Sequence, residues 1–240
     1  MGKQAQYKRI VLKISGQAMC PIDGTGIEGK TVSAVIDELQ SVIDLGVEVA
    51  LVVGGGNFIR GRDLADSPAI RRVTADSMGM LATVMNAIAL RDSMESAGVK
   101  ASVMSAIPMG RICDDYGPRQ ASRCLEAGQV VILAGGTGNP FFTTDMCAAL
   151  RASELNAEIM MKATKVDGVF DDDPETNPQA RQYDSLTYNR VLADRLGVMD
   201  LTAISLCMEN RIPIVVFQLT KPGNLLKAVT GQKVGTIVSD

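Results

Sequence analysis

Short apolar runs alternate along this chain with longer stretches in which apolar residues return every three or four positions. The short runs are Arg9 to Ile14, Val47 to Val53, Val99 to Ala106, Val130 to Ala134, Glu158 to Lys162, Ile212 to Phe217 and Gly235 to Val238. They are rich in valine and isoleucine and read as buried strands. The longer pattern predicts helices over Thr31 to Leu45, Arg72 to Ala97, Gly117 to Ala127 and Thr144 to about Asn156. Further helices are expected around Leu192, from Leu201 to Asn210 and after Pro222. Strands that take turns with helices build a mainly parallel sheet covered by helices. No composition break divides the chain, so residues 1–240 are expected to form one domain.

Three of the runs end in glycine. Ile10 to Ile14 leads into Ser15-Gly16, and Val47 to Val53 into Gly54-Gly55-Gly56-Asn57. Val130 to Ala134 leads into Gly135-Gly136-Thr137-Gly138-Asn139-Pro140-Phe141-Phe142-Thr143-Thr144-Asp145. Glycine lets backbone N–H groups approach a ligand, and a helix starting near Thr144 adds unpaired N–H groups and the positive end of its dipole. An anion is the natural guest. One such loop is ordinary turn chemistry, whereas three at the carboxyl ends of strands in one sheet meet where open α/β sheets bind ligands. Their convergence predicts a phosphate site.

Lys13 and Lys162 each stand at the end of an otherwise apolar strand, and Asp145 heads the helix between them in sequence. A Lys-Asp-Lys cluster would put positive charge where a transferring phosphoryl group needs it; the alternative is a charge-balanced sheet edge. Arg60, just past the second glycine turn, is placed to reach phosphate bidentately, while Arg62 reads as solvated. Asp76 either favours the dipole of its helix or holds a ribose hydroxyl, and spacing leaves both open. Met78, Met80, Met85 and Met94 mark the long helix as core or subunit contact.

Composition narrows the chemistry. The chain has no histidine, which removes histidine-based triads, the commonest general base and histidine-containing zinc sites. Phosphoryl transfer suits what is left, because positioning and charge stabilisation do most of its catalysis. With 24 basic and 27 acidic residues the net charge is −3, so no nucleic-acid surface is expected and the anion site must be local. Cys20, Cys113, Cys124, Cys147 and Cys207 are scattered without metal-ligand spacing and read as reduced thiols. The basic amino terminus is followed by an apolar run broken at Lys13, unlike a signal peptide, and no run approaches the ~18 apolar residues of a membrane span. A cytoplasmic protein with no metal site of its own is expected.

Gly24-Thr25-Gly26-Ile27-Glu28-Gly29-Lys30-Thr31 matches the GxxxxGK[ST] pattern letter for letter. A working P-loop leaves its strand directly into the first glycine, but here Gly16 to Asp23 intervenes, and no acidic residue ends a second apolar strand. The match is expected to be a loop capping the next helix.

Lys13-Ile14-Ser15-Gly16, the turn from Gly54 to Arg60, Met78-Gly79-Met80-Leu81-Ala82-Thr83, Gly136 to Asp145 and Ala163 to Phe170 together resemble the bacterial uridylate kinases of the amino acid kinase superfamily. The resemblance covers nearly the whole chain, and Gly136 to Asp145 is its most specific part. It implies a three-layer α/β/α sandwich of the amino acid kinase type. It also implies transfer of the ATP γ-phosphoryl group to UMP, with Mg²⁺ carried by ATP, in pyrimidine nucleotide biosynthesis. The ATP side would be Lys13, Ile14, Ser15, Gly16, Gly56, Arg60, Thr164, Phe170 and Asp173. The UMP side would be Gly55, Asp76, Thr137, Gly138, Asn139, Pro140, Phe141, Phe142, Thr143 and Thr144. Lys13 and Lys162 would stabilise transition-state charge while Asp145 orients them. A UMP phosphate oxygen is anionic near neutral pH, so the missing general base is no handicap. The resemblance further implies a homohexamer, activation by GTP and inhibition by UTP, with an allosteric segment at Pro21, Ile22, Asp23, Gly24, Thr25 and Gly26. Gln17 departs from the pattern, where an acidic residue usually follows the Ser-Gly. Competing readings are a kinase of carboxylate or carbamate acceptors, a non-catalytic nucleotide sensor and a P-loop NTPase using Lys30.

Overall fold

The computed structural model describes residues 4–21, 24–59, 69–174 and 176–240. Among the described residues, nine strands form one sheet: β1 (Arg9–Ile14), β2 (Glu48–Val53), β3 (Ala101–Ser105), β4 (Asp114–Asp115), β5 (Val130–Ala134), β6 (Ile159–Thr164), β7 (Ser185–Leu186), β8 (Ile214–Gln218) and β9 (Thr236–Val238). Their order across the sheet is β4-β3-β5-β2-β1-β6-β8-β9-β7. All neighbours pair in parallel except β8 with β9. The two-residue strands β4 and β7 carry too little apolar sequence to stand out as runs.

Among the described residues the α-helices are α1 (Gly29–Ile43), α2 (Arg72–Ser96), α3 (Pro118–Glu126), α4 (Thr144–Glu154), α5 (Tyr188–Ala193), α6 (Leu201–Glu209) and α7 (Asn224–Val229). Because successive strand residues point to opposite faces, the strands supply two cores. Ile10, Leu12, Leu51, Ile132 and Phe217 pack with Leu39 of α1, Leu90 and Met94 of α2, and Leu225 of α7. Val11, Val52, Leu133 and Met160 pack on the other side with Leu125 of α3, Ala148 and Ala152 of α4, Val191 of α5 and Ile204 of α6. Helices therefore cover both faces, as a parallel sheet requires. Lys13, two residues on from Val11, faces the layer that contains α4.

The expected elements are present, with most ends shifted by one or two residues. Helix α1 opens at Gly29 rather than Thr31, and β6 continues past Lys162 to Thr164. One expectation needs correcting: α2 is long and apolar enough, at a mean hydropathy of 1.3, to cross a membrane by length and composition. Polar residues interrupt it, so no unbroken apolar run announces this. Its Val84, Ala87, Leu90 and Met94 pack into the sheet core, and its Asn86 is fully buried and hydrogen-bonded to protein. It is placed as a core helix, with Leu81 and Met85 exposed on its outer side.

Candidate active site

Strands β1 and β6 lie side by side in a register that pairs Lys13 with Lys162. Both side chains emerge on the same face, beneath the first turn of α4. Asp145 of that turn receives them: Lys162 Nζ donates to Oδ2 at 2.7 Å, and Lys13 Nζ lies 3.0 Å from Oδ1. The Lys13 contact is an ion pair without the alignment of a directed hydrogen bond, since Oδ1 otherwise lacks a donor. Lys162 Nζ also donates to the Val198 carbonyl at 2.5 Å. The Lys-Asp-Lys cluster expected from sequence is thus assembled, with every member mostly shielded from water.

Burial alone would push the Asp145 carboxyl up, but the charges of Lys13 and Lys162 and the hydrogen bond from Lys162 outweigh it and hold the group below its ordinary value. Lys162 shifts the opposite way relative to its charge. Burial and the neighbouring Lys13 pull it below the usual lysine value of 10.5, against the pull of Asp145. A lysine whose pKa is lowered by the fold gives up its proton earlier as pH rises. If its charge supports turnover, kcat/KM is expected to fall along an alkaline limb centred below 10.5. A pH profile of kcat/KM checks this, and a limb at or above the free-lysine value would contradict it.

Around the cluster, the glycine turns sit at the carboxyl ends of β1, β2 and β5, three strands that run together in the sheet. Gly16 opens a 3₁₀ turn, Gly16–Met19, whose cap is Ser15. A Cβ on Gly55 would fall 2.6 Å from the Gly79 carbonyl oxygen and 2.8 Å from Ala82 Cβ, so only glycine lets this turn lie against α2. Gly135 and Gly136 have φ of 72° and 57°, the left-handed region that glycine enters at little cost. From there the chain runs through Thr137, Gly138, Asn139, Pro140, Phe141 and Phe142 to Thr143. The Thr143 hydroxyl oxygen accepts from Met146 N–H as the N-cap of α4. The same hydroxyl donates to the Asp200 carboxylate at the head of α6.

Sequence reasoning missed the residues that brace these turns. Asn57 and Asn86 are buried and exchange amide hydrogen bonds at 2.9 and 2.7 Å; Asn86 also donates to the Gly54 carbonyl and Asn57 to that of Gly26. Thr83 Oγ1 accepts the Gly135 N–H at 2.8 Å. Asparagine and threonine inside a helix three turns long or more are the available signal, because such residues survive burial only when hydrogen-bonded. Asp76 has a dual position: its carboxylate pairs with Arg72 at 2.8 Å and accepts the Phe141 N–H at 2.8 Å. It therefore reaches the Gly135–Thr144 turn across space. Phe141 and Phe142 are exposed.

On the other side of Lys162 lies a cleft of about 580 Å³ lined by Thr164, Phe170, Asp173, Pro174, Arg195 and Val198 among others. It gathers Thr164, Phe170 and Asp173, which spacing alone had not linked. The segment Pro21 to Gly26 is not among its lining residues. Gly24 and Thr25 are exposed there, and Gly26 N–H donates to the Asn57 carbonyl at 3.0 Å. Arg60, Arg62, Ile22, Asp23 and Glu175 lie outside the described residues. Lys30 is exposed in the first turn of α1, with Thr31 Oγ1 donating to Glu28. The P-loop match is a helix start.

Glycine turns at adjacent strand ends and a lysine pair held by one aspartate thus meet at one edge of an open parallel sheet. The pattern of the amino acid kinase family matches residues 8–218, and the chain belongs to that family. It is 53% identical over 233 residues to a chloroplastic uridylate kinase of Arabidopsis thaliana, spanning 97% of this chain and 69% of that protein. It is 50% identical over 236 residues to the uridylate kinase of Alcanivorax borkumensis, spanning 98% and 93%. Among solved structures, the UMP kinase of Bacillus anthracis superposes with a TM-score of 0.94 at 38% identity, covering 98% of this chain and 96% of that one. The UMP kinase of Ureaplasma parvum gives 0.90 at 37% identity, with both chains covered in full.

Proposed function

We propose that this protein is a UMP kinase, transferring the γ-phosphoryl group of ATP to UMP to give UDP and ADP in pyrimidine nucleotide biosynthesis. The observation that carries the reading is the pairing of Lys13 and Lys162 on one aspartate at the point where the Gly135–Thr144 turn becomes a helix. That turn offers backbone N–H groups to an acceptor phosphate, the cleft by Phe170 takes the donor nucleotide, and the two ammonium groups lie between them. ATP then meets Lys13 through Gly16, Gly56, Thr164, Phe170 and Asp173, with Arg60 reaching its phosphates. UMP meets Gly55, Asp76 and Thr137 to Thr144. No group in the chain need remove a proton, because the attacking oxygen is an anionic phosphate oxygen. Similarity to uridylate kinases over nearly the whole chain supports UMP over a carboxylic acid as acceptor.

Among the described residues no cluster of three or more His, Cys, Asp or Glu side chains is arranged to hold a metal. We take Mg²⁺ to be carried chiefly by ATP oxygens. When bound, the ion neutralises charge on the β- and γ-phosphates; the chain itself supplies Lys13 and Lys162 to the same end. The continuous sheet supports reading residues 1–240 as one domain. Leu81 and Met85, exposed one turn apart on α2, support self-association, which we take to be a homohexamer. GTP activation and UTP inhibition through Pro21 to Gly26 would reach the site by way of Asn57, which bonds Gly26. A cytoplasmic setting agrees with the five free cysteines.

The test is ADP release from Mg-ATP with UMP, CMP, aspartate, acetylglutamate or carbamate as acceptor. Selective turnover of UMP is expected. Activity on an acid with none on UMP would keep the fold and overturn the acceptor, and UMP binding without turnover would point to a sensor.

A further inference from the structure

We infer that Arg151 is a positioning residue for the acceptor turn, fixing the Gly136 carbonyl and thereby setting affinity for the acceptor nucleotide rather than for ATP. The inference rests on the UMP kinase reading. Arg151 lies in α4, six residues beyond Asp145, and is only 4% exposed. Burying a guanidinium is costly unless its N–H groups are used and its charge is met. Nη1 donates to Glu154 Oε2 at 2.6 Å, and Nη2 donates to the Gly136 carbonyl at 3.3 Å. The guanidinium carbon stands 3.8 Å over the Tyr116 ring, whose hydroxyl donates to the same Glu154 oxygen at 2.6 Å. Tyr116 in turn is tied to the sheet, its N–H donating to the Ser105 carbonyl at the end of β3. The planar group is thus held by a ring, a carboxylate and its own helix.

An i,i+3 ion pair on a helix would explain Glu154 alone. It does not explain a donor spent on a loop carbonyl. Gly135 and Gly136 both adopt left-handed φ, and a glycine pair left to itself samples many peptide orientations. Here the turn is pinned from both faces of the sheet: Thr83 of α2 takes the Gly135 N–H, and Arg151 of α4 takes the Gly136 carbonyl. Those contacts fix how Thr137, Gly138 and Asn139 present themselves. Arg151 shares no partner with the cleft beside Phe170, so loosening it should leave the donor nucleotide undisturbed.

The experiment compares wild type with Arg151→Met, Arg151→Lys and Tyr116→Phe, measuring KM for UMP, KM for Mg-ATP, kcat and, by calorimetry, the Kd of UMP. Arg151→Met is expected to raise the UMP constants about tenfold with Mg-ATP within about twofold, the loss of one charged hydrogen bond. Arg151→Lys keeps the charge but loses the fork and should fall between. Tyr116→Phe, which frees one bond of Glu154, should shift the UMP constants less and in the same direction. It carries the test if the methionine variant does not fold. A purely structural role predicts a lower denaturation midpoint with both KM values at wild type; that result, or an equal rise in both, overturns the inference. Wild-type protein that neither binds nor turns over UMP but phosphorylates an acid would instead overturn the function, and the same KM ratio measured with that acid would still decide the role of Arg151.

Discussion

Lys13→Ala and Asp145→Ala are each expected to lower kcat by about 10²- to 10³-fold, roughly 2.7–4 kcal/mol of transition-state stabilisation, the usual cost of removing one preorganised charge. The two losses have different origins. Lys13→Ala removes an ammonium group that we propose to act on the transferring phosphoryl. Asp145→Ala leaves both ammonium groups in place but unpaired, paired in register on neighbouring strands and repelling each other. It should therefore also lower stability, whereas Lys13→Ala leaves the Asp145–Lys162 pair intact. In the wild type, the depressed Asp145 pKa means its contribution to stability is present above the carboxyl's unfolded pKa and is lost as pH falls through the folded value. Lys30→Ala, in the exposed helix start that mimics a P-loop, should leave kcat near wild type. Steady-state rates with Mg-ATP and UMP, with circular dichroism as a folding control, check all three. Near-normal turnover in both Lys13→Ala and Asp145→Ala would remove the proposed site.

The parts of this arrangement that sequence reveals are those encoded locally. Strands such as Val130–Ala134 are apolar without a break because helices cover both faces, and glycines mark where those strands stop. A lysine inside such a strand has few reasons to be there, so Lys13 and Lys162 stood out before their register was known. Contacts made across the fold were not legible. Asp76 and Phe141 are 65 residues apart in sequence and meet through one hydrogen bond. Val198 becomes a partner of Lys162 only because its loop passes the end of β6. Arg151 looked like any arginine on a helix, since the signal that matters, its burial, depends on Tyr116 arriving from the edge of the sheet. The P-loop match failed for a related reason: the letters were present, but no strand led into them.

Asn86→Ala should produce the largest loss of stability among the variants considered, about 2–4 kcal/mol, because it leaves several buried polar groups unsatisfied at once. The Asn86 side chain holds the Gly54 carbonyl at 2.7 Å and exchanges two amide hydrogen bonds with Asn57, and both asparagines are sealed from water. Alanine in its place strands the Gly54 carbonyl and the Asn57 Oδ1 atom, while Asn57 keeps its bond to Gly26. Denaturant titration measures the loss as a lowered urea midpoint with an unchanged slope. The double variant Asn57→Ala/Asn86→Ala should cost clearly less than the sum of the singles, because the second substitution removes a group that the first had already left unpaired. Additive losses, or an Asn86→Ala midpoint equal to wild type, would show that the amide pair does not act as a unit. The consequence for catalysis follows from position. Asn57 Oδ1, which accepts from Asn86, stands 2.4 Å from where a Gly16 Cβ would fall, so Gly16 packs directly against the braced Gly54–Asn57 turn. When Asn86 is lost, Asn57 is free to swing, and the first two glycine turns lose their shared brace. Because Gly16 and Gly56 are assigned to ATP and Gly55 to UMP, KM for both Mg-ATP and UMP should therefore rise in whatever fraction of Asn86→Ala folds, unlike the acceptor-only effect expected at Arg151.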